Sequence, residues 1–383
     1  MEETPRRRNL CQRSAGAAVF LVATWLSAAA IPVSHAQEYT DPEWPRTDFS
    51  KTLVDLGEII SGGPPKDGIP AIDKPDFVST REATDWLNPQ EPVIVVSVAA
   101  DVRAYPLQIL IWHEIVNDTV GGRPVSVTFC PLCNSSLVFD RRVGGRLLDF
   151  GTTGRLQKSN LVMYDRQTES WWQQLTGRAI VGDLVGTKLT QVPASIVAFE
   201  DFAKTYPDGK VLSRRTGYRR AYGNNPYRGY DRIGDQPFLF TDTVDPRLPA
   251  MERVINVTVN GKTKLYPFSI FADNPIINDR VNGLAVAVFS RQGTLSVLDQ
   301  EAIARSRAVA SATAYERTVN GRVLTFELRD GKILDRETGS RWDLFGNAVG
   351  GKLKGQRLKP TESGQHFAFA WLAFNAETEI YGR

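Results

Sequence analysis

The segment Phe129-Cys130-Pro131-Leu132-Cys133-Asn134-Ser135-Ser136 contains a Cys-x-x-Cys pair between two short runs of strand-forming residues. A short run rich in β-branched residues, Val125 to Phe129, leads into it, and a second apolar run, Leu137 to Asp140, follows it. Both runs predict strands, because β-branched and aromatic side chains pack well on a pleated sheet. The Cys-x-x-Cys pair is therefore expected in a tight connection between two strands and not at the start of a helix.

The residues upstream and downstream predict a β meander with one early helix. Val93 to Val98 has the β-branched composition and the short length of a buried strand. Tyr105-Pro106 opens a predicted helix that runs to about Val116, because proline is tolerated in a first helical turn. Asn117 to Gly122 and Gly144-Gly145 are predicted turns.

A second copy of this pattern begins near Ile255. Tyr105-Pro106 recurs 161 residues later as Tyr266-Pro267, and Asn117-Asp118 recurs at the same displacement as Asn278-Asp279. Asp165-Arg166-x-Thr168 returns as Asp335-Arg336-x-Thr338. Three anchors in the same order indicate an internal duplication. We therefore predict an α+β, β-rich fold of two homologous lobes, each a β meander with one or two helices.

Five segments are predicted along the chain. Residues 1–36 have the pattern of an export signal peptide, because arginines precede an apolar run from Ala15 to Val33 and small residues end it. Arg7-Arg8 fits a loose twin-arginine pattern, and a general secretion signal fits equally well. Residues 37–91 are predicted to form an irregular arm, 92–215 the first lobe with the Cys/His site, 216–249 a connector, and 250–383 a second, degenerate lobe. The mature protein is expected to be periplasmic or secreted.

Composition limits the partners. The chain has 383 residues and a net charge of +3, from 46 basic and 43 acidic residues, so no strong field favours nucleic acid. Beyond the signal, no apolar run reaches the roughly 18 residues that a membrane helix needs, so no stable membrane insertion is expected after cleavage. A small-molecule ligand is the expected partner, and the sequence does not indicate an oligomeric state.

The two lobes differ at the residues that carry chemistry. His113-Glu114 falls opposite Asn274-Pro275, and Cys130 to Cys133 falls opposite Ser290 to Gly293. The second lobe therefore lacks the imidazole and both thiols together. We expect the site in the first lobe, with Cys130, His113 and Glu114 as candidate catalytic residues.

Three chemistries fit a Cys-x-x-Cys pair with one nearby histidine. Zinc or copper suits thiolate and imidazole ligands, which predicts a metal site of His113, Cys130 and Cys133, completed by Asp118, or otherwise by Glu114, His366 or water. A redox dithiol is the second, although the strand after Cys133 removes the activation that a helix N-terminus gives. A structural disulfide in a non-catalytic binding module is the third. The sequence thus predicts an exported metal-binding or cysteine-centred redox protein, and leaves open whether it is an enzyme.

A polar loop beside the tryptophans Trp171 and Trp172 is a weaker candidate. Arg155, Lys158 and Asn160 are predicted to line a cleft for a small polar or anionic ligand or cofactor. An exposed loop next to a tryptophan core is the simpler alternative.

The combined motifs resemble one known family. Tyr105-Pro106, Trp112 to Asp118, Cys130 to Cys133, Phe139-Asp140-Arg141 and Asp165-Arg166-x-Thr168 are similar to the domain of unknown function 3179 family, closely from about Pro92 to Tyr230 and loosely in the later copy. The resemblance implies no established reaction. Because the second cysteine is often threonine in that family, it implies more weight on Cys130 and His113 than on Cys133. It counts against a purely structural bridge and equally against a dithiol relay, and it favours a single thiolate working with an imidazole, as a metal ligand or a nucleophile.

Overall fold

The computed structural model describes residues 41–383, so the predicted export signal lies outside the described residues. Strands dominate, in several sheets, and helices are few and short. The first sixteen strands are β1 Ile59–Ser61, β2 Phe77–Ser79, β3 Pro92–Val98, β4 Asp101–Pro106, β5 Ile115–Val120, β6 Arg123–Cys130, β7 Ser135–Asp140, β8 Arg142–Val143, β9 Arg146–Leu147, β10 Phe150–Gln157, β11 Asn160–Asp165, β12 Trp171–Gln173, β13 Arg178–Val181, β14 Gln191–Val192, β15 Ala194–Ala198 and β16 Lys210–Leu212.

The remaining strands follow residue 250. They are β17 Arg253–Val259, β18 Lys262–Pro267, β19 Ile276–Val281, β20 Leu284–Leu295, β21 Ala308–Glu316, β22 Thr318–Val319, β23 Arg322–Val323, β24 Phe326–Arg329, β25 Lys332–Asp335, β26 Arg341–Trp342, β27 Ala348–Gly350, β28 Lys359–Pro360, β29 Glu362–Phe367 and β30 Glu379–Ile380. The α-helices are α1 Thr80–Ala83, α2 Leu107–His113, α3 Phe199–Thr205 and α4 Ala368–Phe374, and 3₁₀ turns span Leu56–Glu58, Pro131–Cys133, Phe268–Ala272 and Ile303–Arg305. Among the described residues, no helix has the length and apolar character needed to cross a bilayer.

We call strands β3 to β16 the first half of the fold and strands β17 to β30 the second half. The two halves have equivalent strand pairings. The hairpins β3–β4 and β17–β18 each lie between an antiparallel later strand and a parallel one, in the orders β15-β3-β4-β16 and β29-β17-β18-β30. The sets β5-β6-β7-β14 and β19-β20-β21-β28 also correspond, as do β10 to β13 and β24 to β27. The arm adds β1 to β10 and β2 to β16.

Matching hydrogen bonds accompany this arrangement. In each half a tyrosine hydroxyl donates to the aspartate of the Asn-Asp pair, and a tryptophan indole N–H donates to the aspartate of the Asp-Arg-x-Thr turn. The bonds are Tyr105–Asp118 at 2.5 Å, Tyr266–Asp279 at 2.9 Å, Trp172–Asp165 at 2.9 Å and Trp342–Asp335 at 2.9 Å. The repeated residues therefore form equivalent hydrogen bonds in both halves.

One eight-stranded sheet joins the halves, because β29 of the second half pairs with β7 of the first. His366 on β29 strengthens that junction. Its Nδ1 lies 2.9 Å from the Ser135 hydroxyl, and its Nε2 lies 3.0 Å from the Asn256 side-chain oxygen. Complete burial lowers the pKa of His366 to about 3. Around this sheet lies the largest apolar cluster, which contains both Cys130 and Cys133.

The predicted early helix is present but shorter than expected. Helix α2 spans Leu107–His113, whereas Tyr105 and Pro106 end β4. Glu114 ends the helix with φ of +57°, and Ile115 begins β5. The prediction was wrong at both ends because the extended backbone at Pro106 and the β-branched run after Glu114 favour strand pairing. The predicted Asn117–Gly122 turn is likewise reduced to Gly121 and Gly122.

Candidate functional site

The cysteine pair lies in the connection between β6 and β7, as its flanking runs predict. Cys130 is the last residue of β6, and a single 3₁₀ turn, Pro131–Cys133, leads to Asn134. Asn134 adopts a left-handed conformation with φ of +45°, which returns the chain into β7. Both cysteines are free thiols, with exposed fractions of 1% and 0%.

The two thiols interact, and their acidities move in opposite directions. Burial alone raises the pKa of the Cys130 thiol, but hydrogen bonds from the Cys133 thiol and from the backbone N–H groups of Leu161, Cys133 and Leu132 outweigh it, so the pKa falls below its usual value. Burial, and then the hydrogen bond to Cys130, raise the pKa of Cys133 well above its usual value. Cys130 is therefore the thiol that ionises first.

Glu114 is the carboxyl beside the thiols. The residue is 7% exposed, and its side chain makes no hydrogen bond within residues 41–383. Burial, followed by the nearby charge of Cys130, raises the pKa of Glu114 well above its usual value. The Phe129 N–H donates to the Glu114 carbonyl at 2.8 Å, which fixes this residue against the end of β6. A buried carboxyl that keeps its proton can donate it to a neighbouring group.

The turn between β10 and β11 also meets the thiols. Its Ser159 carbonyl accepts a hydrogen bond from the Cys133 thiol at 3.4 Å, and its Ser159 hydroxyl donates to the Phe238 carbonyl at 2.6 Å. Lys158 and Ser159 both have left-handed backbones, with φ of +50° and +63°.

The second half makes the corresponding turn with Asp330-Gly331, the residues that such a turn favours. A left-handed non-glycine residue costs about 1–2 kcal/mol. The first half thus carries backbone strain next to the thiols, as functional sites often do.

Two tyrosines of the connector complete the shell. Tyr227 lies close enough to Glu114 and Cys130 that their charges help to raise its pKa, after burial, which is the main cause. Tyr230 has the same relation to both cysteines, and its hydroxyl accepts from the Phe238 N–H at 3.1 Å. The sequence shows a tyrosine-rich connector, but only the folded chain brings these two residues, about 100 positions away, to the thiols.

His113 faces a different environment from its neighbour Glu114. Its Nδ1 lies 2.7 Å from the Pro70 carbonyl oxygen, and its Nε2 lies 2.7 Å from the Tyr222 hydroxyl. The Tyr222 hydroxyl is in turn 2.5 Å from the Thr216 hydroxyl. Burial lowers the pKa of His113. Both ring nitrogens are thus occupied by partners other than the cysteines.

The predicted metal ligands do not assemble in the described part of the chain. No group of three or more His, Cys, Asp or Glu side chains suited to a metal ion occurs there. Asp118 is held by two hydrogen bonds of 2.8 Å from Arg103 and one of 2.5 Å from Tyr105. Zinc or copper stays a prediction, with Cys130 and Cys133 as the adjacent protein ligands.

Of the predicted ligand loop, only Asn160 reaches the thiols. Its side chain forms a hydrogen bond with Cys133 and receives another from the Gln173 amide at 2.6 Å. Arg155 instead forms an ion pair with Asp41 of the arm, and Lys158 forms one of 2.8 Å with Asp242. Trp171 and Trp172 are buried core residues.

The whole arrangement falls within one family model, whose description is "Protein of unknown function (DUF3179)" and which matches residues 66–378. The chain belongs to this family. The DUF3179 match spans both halves and the connector, more than the close resemblance of the first lobe suggested. No curated protein and no solved structure matches the chain.

In this DUF3179 protein the second half lacks the features of the site. Strand β20 continues through Ser290 to Gly293, where the first half has its cysteine turn. Pro275, opposite Glu114, directly precedes β19. The strained backbone, the carboxyl and the thiols thus occur together in the first half.

Proposed function

We propose that this DUF3179 protein is an exported, cysteine-centred redox protein in which Cys130 is the attacking thiolate and Cys133 is the second thiol. One observation carries the proposal: two neighbouring buried thiols, both directed at the Ser159 carbonyl, have pKa values shifted in opposite directions. The thiolate is the nucleophile in thiol chemistry, and backbone N–H groups that point at one sulfur stabilise its charge.

The reaction that fits this pair is exchange with a disulfide. The Cys130 thiolate attacks one sulfur of the substrate disulfide, an S–S bond forms to Cys130, and the other substrate sulfur leaves as a thiolate. Cys133, once deprotonated, attacks the Cys130 sulfur, forms the Cys130–Cys133 disulfide and releases the second substrate thiolate. The substrate is reduced by two electrons, and the protein dithiol is oxidised by two.

Glu114 fits the role of proton carrier in both steps. Its protonated carboxyl can give its proton to the first leaving thiolate, and the resulting carboxylate can then take the proton of Cys133. Its raised pKa and its place beside Cys130 support this role. His113, with both ring nitrogens bonded elsewhere, has no part in these steps.

Access to Cys130 requires movement of the connector. The sulfur is on a residue that is 1% exposed, and Tyr227 and Tyr230 lie beside it. The connector contacts the β10–β11 turn through the Ser159–Phe238 hydrogen bond and the Lys158–Asp242 ion pair, and it contains no named strand or helix between β16 and β17. Such long irregular segments are frequently functional.

We further infer that the two halves arose by internal duplication and that the second half is structural. The equivalent sheet orders and the paired hydrogen bonds of Tyr105 and Tyr266 support this inference. Export to the periplasm or medium, through the signal predicted over residues 1–36, is part of the same proposal. Sequencing the N-terminus of the protein recovered outside the cytoplasm tests the predicted export and signal cleavage.

A redox titration tests the function. The full chain, reduced and then equilibrated with mixtures of reduced and oxidised glutathione, should lose the mass of two hydrogen atoms as the Cys130–Cys133 disulfide forms. Cys133→Ser should instead retain glutathione on Cys130, and Cys130→Ser should form neither product. A pair that cannot be reduced, or thiols that never react in the folded protein, would refute the proposal in favour of a structural bridge.

Elemental analysis of the same reduced sample tests the alternative. One zinc or copper ion per chain, lost in Cys130→Ser, would favour the metal site over the redox pair.

A further inference from the structure

An open pocket of about 310 Å³ lies between the connector and the segment after β20. It is lined by Asn224, Arg228, Gln300, Glu301, Ala302 and Arg305. Backbone hydrogen bonds fix its two walls together: the Asn225 N–H donates to the Glu301 carbonyl at 2.7 Å, and the Ile303 N–H donates to the Gly223 carbonyl at 3.0 Å. The pocket is therefore a built feature of the fold.

The pocket is rich in unpaired positive charge. Within residues 41–383, neither Arg228 nor Arg305 forms an ion pair. The nearby Asp231 and Asp299 form ion pairs with Arg253 and Arg307 instead. Glu301 supplies one negative charge against these two positive ones. Guanidinium groups recognise carboxylates through parallel hydrogen bonds, and the neighbouring amides add further donors. Arg228 and Arg305 are both exposed, and the lining therefore suits an anionic group such as a carboxylate.

The pocket shares its connector wall with the thiol site. Tyr227, the residue before Arg228, lies beside Cys130 and Glu114. On the other side, the Trp112 indole N–H donates to the Asn224 carbonyl at 3.1 Å, and Trp112 is two residues before Glu114. A ligand bound in the pocket therefore lies next to Tyr227, the connector residue that lies beside Cys130.

We propose that this pocket binds a carboxylate of the disulfide that reacts at Cys130, so that the substrate class is an acidic disulfide. The inference rests on the proposed function and adds the substrate to it. Arg228 and Arg305 are the specificity-determining residues, and Glu301 limits the affinity for anions.

Two chromogenic disulfides test the inference on the full chain. One, 5,5′-dithiobis(2-nitrobenzoate), carries two carboxylates, and the other, 4,4′-dithiodipyridine, carries none. The ratio of their rate constants at Cys130 removes effects of general thiol reactivity. We expect Arg228→Gln and Arg305→Gln each to lower this ratio by about tenfold, the effect of one lost charge-assisted hydrogen bond, and Glu301→Gln to raise it.

Arg322→Gln, an exposed arginine on β23 of the second half, is the matched control and should leave the ratio unchanged. Glutathione disulfide and an aspartate-rich cystine peptide then distinguish a low-molecular-weight substrate from a protein substrate. The disulfide that resembles the true substrate should show the larger fall in its reaction rate with Cys130 when Arg228 is replaced by Gln. An unchanged ratio in both arginine variants would overturn the inference and leave the redox proposal standing. If neither reagent modified Cys130 in the folded protein, the redox proposal itself would fail.

Discussion

Replacing Glu114 with glutamine should make the protein more stable at neutral pH, by an amount that grows as the pH rises. The substitution keeps the size of the side chain and removes its titration. In the native protein, burial and the charge of Cys130 raise the pKa of Glu114 well above its usual value. The folded chain therefore holds a proton that the unfolded chain releases.

The magnitude follows from linkage. Below about pH 4, Glu114 is protonated in both states and the substitution has no pH-dependent effect. Above that pH, the free energy of unfolding of the native protein falls by about 1.4 kcal/mol for each pH unit until the pKa of the folded state is reached. Glu114→Gln lacks this loss, so the stability difference between variant and native protein should rise with the same slope. His366 also titrates, but it is present in both proteins and cancels from the difference.

Urea unfolding of reduced protein at four pH values between 4 and 7 measures that difference. Cys130→Ser provides the control, because removing the thiolate removes the lesser cause of the Glu114 shift, so in that background the slope should end at a lower pH. A stability difference that stays constant from pH 4 to 7 would mean that Glu114 ionises normally in the folded protein. The proton-carrier role would then be wrong.

Three further predictions concern single side chains. Cys133→Thr keeps a hydrogen-bond donor to Cys130 and should leave its thiol pKa, followed by thiolate absorbance against pH, lower than in Cys133→Val. His113→Gln should reduce stability by about 1–3 kcal/mol, since its partners Pro70 and Tyr222 lose bonds, yet leave the reaction rate of Cys130 unchanged in stopped-flow thiol assays. Because the pKa of His366 is about 3 when folded, the stability of the native protein relative to His366→Asn should fall by about 5 kcal/mol as the pH drops from 6.5 to 3, measured by chemical unfolding of both proteins.

The local structure around the cysteines was predictable from the sequence, because strand composition and turn residues act over a few positions. The placement of Cys130 and Cys133 between two strands follows from their flanking runs. The side chain that lies beside the thiols could not be predicted from the sequence. His113 and Glu114 are adjacent, and only the left-handed backbone at Glu114 decides which of them turns toward Cys130. The sequence does not predict a positive φ at a glutamate, because glutamate rarely adopts one.

Long-range placement was equally hidden. The tyrosines of the connector and the β10–β11 turn reach the thiols by tertiary packing, which leaves no periodic trace in the sequence. The internal similarity, in contrast, was visible in the sequence as matching residues, and those residues form matching hydrogen bonds. It did not indicate that β29 of one half would pair with β7 of the other.

The pairing of β29 with β7 has a consequence for biosynthesis. Glu362–Phe367 is translated more than 200 residues after Ser135–Asp140, so β7 waits for its neighbour until the chain is nearly complete. Until then the sheet that contains β6 and β7 lacks its strands from the second half. The shared sheet is thus completed only when the last strands have been made, and a chain truncated before Glu362 would lack the pairing of Gln365 with Ser136 that joins the two halves.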